Sequence, residues 1–413
     1  MSVRVLPSEI DNQQSTMSPG LAPPAVRSQP PLASIHPSRE FELLLAASSS
    51  RPDSERSAQI SALLADEIDW SKVISLATHH AVIPVLYKNL ATRSADIPSD
   101  ALERLATKFE SNTRQALWLT NLLGKAVDAL ESRGVPALPY KGPVLSNILY
   151  DNVAQRQFSD LDILVRPADL PRAKWVLTEI GFHPHLDLTG AAENAHIASG
   201  YEYSFDGFGQ NNVLELQWRI LPRFYSVDFD IDSFFQRARV VKLHQRQVRT
   251  LSPEDLLFVL CVHAAKHLWG RLSWIRDIAD LPAVAQCDWE RVAHQATLLG
   301  VNRVLGISFF LAQALLGAAL PPTLEALARD EQVQHLGNEI LKEMAESADC
   351  DTEAIGYFQR IARLRERTSD KVRFFTRLAF TPGVSEWSLV RLPAPLVPLY
   401  RVIRLFRLLR KLT

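Results

Sequence analysis

The chain has 413 residues, of which 47% are hydrophobic and 22% charged, with a formal net charge of −1. That is room for two or three domains of ordinary soluble composition, and the charge balance excludes a global field for nucleic acid or acidic surfaces. Cys261, Cys287 and Cys350 are far apart and form no CxxC, which argues against a cysteine-built zinc or redox site and predicts free thiols in a reducing, cytoplasmic compartment.

Residues 1–38 hold seven of the 25 prolines, spaced by Ser and Gln, with no charged-then-apolar signal pattern. Such a segment cannot bury enough apolar surface to offset its ordering entropy, so a disordered tail is expected. From 39 to 134 the pattern is helical, with apolar residues at three- and four-residue intervals in "SAQISALLADEI" and "WSKVISLATHHAVIPVLYKNLA". A long helix follows. Asp100 and Glu103 are spaced as a capping box at its start, and Gly134 and Pro136 end it.

The period then changes, and 135–250 reads as mixed α/β. "VPALPY" is short and extended. "PVLSNILY" reads as a helix with Pro143 in its first turn, "DLDILV" as a strand, and "PADLPRAKWVLTEIG" as a helix stopped by Gly181. "YEYSFDG" and "NVLELQWRI" alternate with period two, and the "FGQNN" between them predicts a hairpin. From 251 to 396 the chain is helical again, with a start at Ser252, Pro253 and Asp255. The longest apolar run, Val304 to Leu320, contains Ser308, Gln313 and two glycines. It is shorter than the roughly 20 residues of a membrane span, so it reads as a buried helix ended by Pro321 and Pro322.

Asp160 and Asp162 stand two apart in the "DLDILV" strand, so both carboxylates face one side while Leu161 and Ile163 face the other. Two like charges this close repel unless a cation lies between them, and an oxygen-only site suits Mg²⁺ or Mn²⁺; the alternative is a solvated strand end. Glu215 is the lone acid of "VLELQW". It can join the same cluster if the two strands are neighbours, or else it is an edge carboxylate in water.

With a turn of glycine opening a helix, then a D-h-D-h strand, then a lone acid on a later strand, the chain resembles the DNA polymerase β-type nucleotidyltransferase superfamily. More narrowly, "KGPVLSNILY", "RQFSDLDILVRPADLPRAKWVLTEIGF", "LELQWRI" and "HAAKHLWGRLSWIRDIADL" are similar to a bacterial group of uncharacterised nucleotidyltransferases, over about 40 to 400. The resemblance implies an α+β fold: a small mixed sheet with helices as the core, flanked by N- and C-terminal helical regions. It implies transfer of a nucleoside monophosphate from an NTP to a hydroxyl or phosphate of an unidentified acceptor, or else an inactive nucleotide-binding or scaffold protein on the same fold. Asp160, Asp162 and Glu215 would bind the metal, Glu215 nearest the acceptor hydroxyl. Lys141 and Gly142 stand where the superfamily has Gly-Ser to cradle the phosphates. Here the Ser is absent, and a lysine offers a point charge instead. Arg156 would touch a phosphate or brace Asp160; Arg166 reads as a solvated strand end.

In "HAAKHLWGRLSWIRD", His263, Lys266, His267 and Arg271 fall near one helical face. Ala264 stands where a metalloprotease HExxH has its Glu, so the pair His263/His267 is no zinc-protease site. Lys266, His267 and Arg271 are either substrate contacts or scaffold, with Trp274 and Asp277 as supports and Asp277 positioning Arg271 or His267. Residues 397–413 form a basic amphipathic helix with Arg401, Arg404, Arg407 and Arg410 three apart. It can pack on its own domain, lie on an anionic membrane surface, or bind acidic partners. No strong nucleic-acid signal accompanies it, and GxSxG, Walker and GxGxxG motifs are absent.

Overall fold

The computed structural model of the protein describes residues 37–186, 188–345, 355–382, 386, 389, 392 and 394–410. The expected tail up to residue 36, Cys350 and Lys411 lie outside the described residues. Four short helices, Arg39–Ser48 (α1), Asp53–Leu64 (α2), Trp70–His79 (α3) and Ile83–Leu90 (α4), precede the long helix Ser99–Ser132 (α5). Helix α5 starts one residue before the expected cap: Pro98 is its N-cap, and no side chain caps it, so the Asp100–Glu103 reading is corrected. Proline fixes the entry angle and supplies the stop that a capping side chain would otherwise give.

Then come Leu138–Pro139 (β1), Gly142–Tyr150 (α6), Leu161–Leu164 (β2), Leu170–Glu179 (α7), Phe182–Pro184 (β3), Gly190–Ser199 (α8), Glu202–Gly207 (β4) and Gln210–Gln217 (β5). The five strands make one mixed sheet in the order β1-β2-β5-β4-β3. Strands β2 and β5 run parallel; every other pair is antiparallel. The β4–β5 hairpin turns at Phe208 and Gly209, both at positive φ, the signature of a type I′ turn. One face of the sheet is apolar: Leu161, Ile163, Leu214, Leu216, Tyr203 and Phe205 pack with α5 and α7 in a single core. The other face carries the acids.

Helix α9 (Ile231–Arg237) and the hairpin Arg239–Leu243 (β6) with Arg246–Thr250 (β7) lead into the C-terminal helices. These are Pro253–Lys266 (α10), Leu272–Val284 (α11), Trp289–Leu299 (α12), Asn302–Leu316 (α13), Pro322–Ala328 (α14), Glu331–Ala345 (α15), Ile355–Leu364 (α16), Thr368–Phe380 (α17) and Tyr400–Arg410 (α18). Ser252 caps α10 as the sequence suggests, accepting from the Asp255 amide. Helix α13 is buried along most of its length but stops at Gly317, in the left-handed conformation, rather than at Pro321; Pro322 opens the next helix instead. A second core joins α1, α3, α4, α10, α11 and α13, and it reaches the sheet through Leu138, Tyr140 and Leu164. The acidic face therefore looks towards α10 and α11. Among the described residues no helix is long and apolar enough to cross a membrane.

The C-terminal helix packs on the chain. Tyr400 is buried beside Leu188, Arg404 Nε donates to the Leu378 carbonyl, and Arg404 and Arg407 both pair with the buried Glu386. Arg401, Val402 and Phe406 face outward.

Candidate active site

The parallel pairing of β2 with β5 sets Asp162 directly opposite Glu215. Neighbouring strands lie about 4.8 Å apart, so the two side chains share one face at short range. Asp160 lies just before β2, which begins one residue later than the sequence suggests, and it is close enough for the charges of Asp162 and Glu215 to act on it. Strand β4 adds a fourth acid, Glu202, whose register partner is Gln217.

Gln217 holds this cluster together. Its amide nitrogen donates to Glu215 Oε2 at 2.9 Å, Asp162 Oδ1 at 3.3 Å and Glu202 Oε2 at 3.3 Å. Its carbonyl oxygen accepts from the Tyr140 hydroxyl. Lys141 Nζ donates to Asp162 Oδ1 at 2.9 Å, with side chains only 10% and 3% exposed. Gly142 shapes this corner: it opens α6 at φ +52°, and a Cβ there would lie 3.1 Å from the Asp160 carbonyl. Only glycine meets both demands without strain. Pro143 has no N–H, so the helix start offers fewer amides to an anion than a Gly-Ser turn.

The charges are not balanced. Burial, then the charges of Asp162 and Glu215, push Asp160 up to about 7. Burial, then Glu202 and Asp162, push Glu215 up to about 8. Lys141 is held charged: burial opposes its ammonium, but Asp162, Glu215 and Asp160 outweigh it. Burial and the same carboxylates keep the Tyr140 phenol protonated.

Residues of α10 and α11 border the cluster. Lys266 Nζ donates to the Tyr201 hydroxyl at 3.0 Å and its charge reaches Glu215. His263 meets the Trp274 ring edge-on and His267 lies tilted against it, at ring-centroid distances of 5.3 and 5.0 Å. Burial, with Lys141 and Lys266 nearby, keeps both imidazoles neutral, His267 pushed down to about 3. Arg271 does not continue their helix, as the periodicity implied. Leu268 and Trp269 both adopt positive φ, at 47° and 51°, and break it. Trp269 is fully buried and donates from its indole to Ser308 Oγ at 3.0 Å, which holds an otherwise costly backbone in place. Arg271 stands at the start of α11 without a capping side-chain hydrogen bond, lies over the Trp274 ring, and lines a cleft of about 420 Å³ with Lys108, Ser111, Gln157 and Ser159, the residue before Asp160.

Arg156 makes its hydrogen bonds to Asp277 rather than to Asp160. Its guanidinium grips the buried Asp277, Nε at 3.1 and 3.0 Å and Nη2 at 2.9 Å. Asp277 is thus the partner of Arg156, not of Arg271 or His267. Arg166, expected in solvent, pairs with Asp232 at 2.7 Å and lies over Phe235.

The sequence reading missed Tyr140, Glu202 and Gln217. Glu202 was within reach of a hairpin count: with Gly207 opposite Gln210 and a bulge between Phe205 and Gly207, residue 202 falls opposite 217.

A family model described as an uncharacterised nucleotidyltransferase matches residues 66–317, more than half of the chain. The chain belongs to that family. The matched segment includes every member of the acid cluster together with Lys141, Arg156 and Arg271. A crystal structure of an antigenic nucleotidyltransferase-like protein from Paracoccidioides brasiliensis aligns at 15% identity and a TM-score of 0.28, over 50% of this chain and 96% of that one. So slight a likeness has no bearing on the chemistry. No curated protein matches the chain.

The residues suit Mg²⁺ or Mn²⁺ in kind: hard oxygen donors only, on one sheet face, carrying more negative charge than Lys141 offsets. The set is not closed. Among the described residues no three His, Cys, Asp or Glu side chains are grouped to hold an ion as they stand, and Lys141 and Gln217 bind the oxygens such an ion would take.

Proposed function

We propose that the protein transfers a nucleoside monophosphate from an NTP to a hydroxyl or phosphate of an acceptor, with Mg²⁺ or Mn²⁺ held by Asp160, Asp162 and Glu215. The observation that carries this reading is the parallel register of Asp162 with Glu215 beside Asp160 in a member of a nucleotidyltransferase family. Bound there, the dication would neutralise the triphosphate and the leaving pyrophosphate. The chain's own part is positioning and charge, which is most of what phosphoryl-type transfer needs. Lys141 offers an ammonium to a phosphate oxygen. Glu215, the carboxylate nearest the acceptor hydroxyl in this reading, assists its deprotonation. Gln217 and Tyr140 orient the carboxylates through their shared hydrogen bonds. Lys266, His267 and Arg271 border the space left for substrate.

Asp162→Asn tests the assignment: metal-dependent pyrophosphate release is lost while the circular-dichroism spectrum and melting profile stay those of a folded chain. Wild-type turnover in this variant would remove the metal role of Asp162. A second reading, a nucleotide-binding or scaffold protein without turnover, is favoured by the buried Lys141–Asp162 ion pair, which neutralises the central carboxylate without any ion. Calorimetry separates the two: nucleotide binding with no pyrophosphate release supports the second.

A further inference from the structure

We infer that Lys141 is a tethered cation that a divalent ion has to displace from Asp162, and that the incoming triphosphate is the partner it moves to. The inference rests on the transfer reading and concerns the order in which the site fills. Asp162 is the central acid, opposite Glu215 in register and two residues from Asp160, and its Oδ1 is bound by both Lys141 and Gln217. An amide NH₂ has two hydrogens, yet that of Gln217 faces three carboxylate oxygens within 3.3 Å. One ammonium and one amide thus serve three acids, with the charge of Asp160 added beside them. The surplus negative charge attracts a dication, but the oxygen it needs most is already in use.

The backbone at Lys141 is held between the buried Tyr140 and the left-handed Gly142, and the ammonium sits at the end of a four-carbon stem of rotatable bonds. An ammonium is a point charge that can change partners without the planar fit a guanidinium demands. Leaving Asp162 for no new anion strands a buried charge, so a lone ion binds poorly. An ion arriving with a nucleotide brings phosphate oxygens for Lys141. Ion and nucleotide then strengthen one another's binding, and the coupling is reciprocal.

The test is Mn²⁺ binding to the full chain, read from the electron-paramagnetic signal of free Mn²⁺, with and without a non-hydrolysable NTP analogue. The buffer is alkaline enough to ionise the carboxylates. Lys141→Met is expected to bind Mn²⁺ about tenfold more tightly than wild type when nucleotide is absent, and to lose about the same factor of nucleotide-driven enhancement. Mn²⁺ binding with unchanged affinity, or with undiminished enhancement, overturns the inference alone. No Mn²⁺ binding by either protein overturns it together with the transfer reading. Should Lys141→Met not fold, the wild-type chain supplies a second measurement. The Lys141 ammonium resonance in a ¹H–¹⁵N spectrum shifts when Mg²⁺ and the analogue are added together, and a resonance that stays put refutes the exchange.

Discussion

Arg156 separates a structural from a substrate role most sharply, and Arg156→Met is the perturbation. The guanidinium makes three contacts of 2.9 to 3.1 Å with the Asp277 carboxylate, and both side chains are almost wholly buried. Removing one partner of such a pair leaves an uncompensated charge in the interior and costs about 3–5 kcal/mol. Most of that cost is the stranded carboxylate rather than the lost attraction. The double variant Arg156→Met with Asp277→Leu, which strands nothing, is therefore expected to recover most of it. Chemical denaturation of wild type, single and double variants measures the cycle, and titration with a nucleotide analogue is run on each folded protein. The expected result is a large loss in the single variant, recovery in the double, and nucleotide affinity within about threefold of wild type in the double. A single variant as stable as wild type would refute the buried pair. A stable double variant that no longer binds nucleotide would return Arg156 to the substrate.

Three further outcomes follow from the same structure. Asp160 and Glu215 carry proton affinities raised from 3.8 and 4.5 to about 7 and about 8, so these two groups bind more protons in the folded chain than in the unfolded one, whereas the buried His80, His196, His263 and His267 bind fewer below their ordinary value of 6.5. Above that value the acids decide the sign, so their contribution to stability falls as pH rises from about 6.5 to about 8, and Glu215→Gln, which cannot ionise, flattens the fall; melts at the two ends of that window measure it, and an unchanged slope contradicts the assignment. Gly142→Ala puts a side chain at φ +52° with its Cβ 3.1 Å from the Asp160 carbonyl; a loss of about 1–2 kcal/mol is expected in urea melts, and wild-type stability would mean the turn relaxes freely. Glu386→Gln removes the countercharge of Arg404 and Arg407. The C-terminal helix should then be cleaved faster by protease and bind anionic vesicles more tightly, whereas unchanged cleavage would show that Tyr400 and its apolar neighbours alone hold it.

How much of the site could be read from the chain depends on the range of the interaction that fixes each residue. The nearness of Asp160 to Asp162 was legible because they are two apart in the chain, although β2 begins only at Leu161 and strand period does not fix where Asp160 faces. The partnership of Asp162 with Glu215 was only conditional, since the parallel β2–β5 pair is joined through α7, β3, α8 and β4, and no local pattern states which strands meet. The helical periodicity that carried Arg271 onto the face of His263 failed at Leu268 and Trp269. Neither residue favours the left-handed conformation, and it is imposed by a distant contact, the Trp269 indole on Ser308 of α13. Arg156 and Asp277 are likewise joined across the gap between the sheet domain and α11, where each alone reads as an ordinary charge. A common cause underlies these cases. The acid face is assembled where two cores meet, so its neighbours come from elements remote in the chain. The charges that look excessive along β2 are offset mainly by Lys141 from the turn before α6 and by Gln217 from β5. What compensation there is belongs to the assembled face, which is how β2 can bury Asp162 with Asp160 just before it.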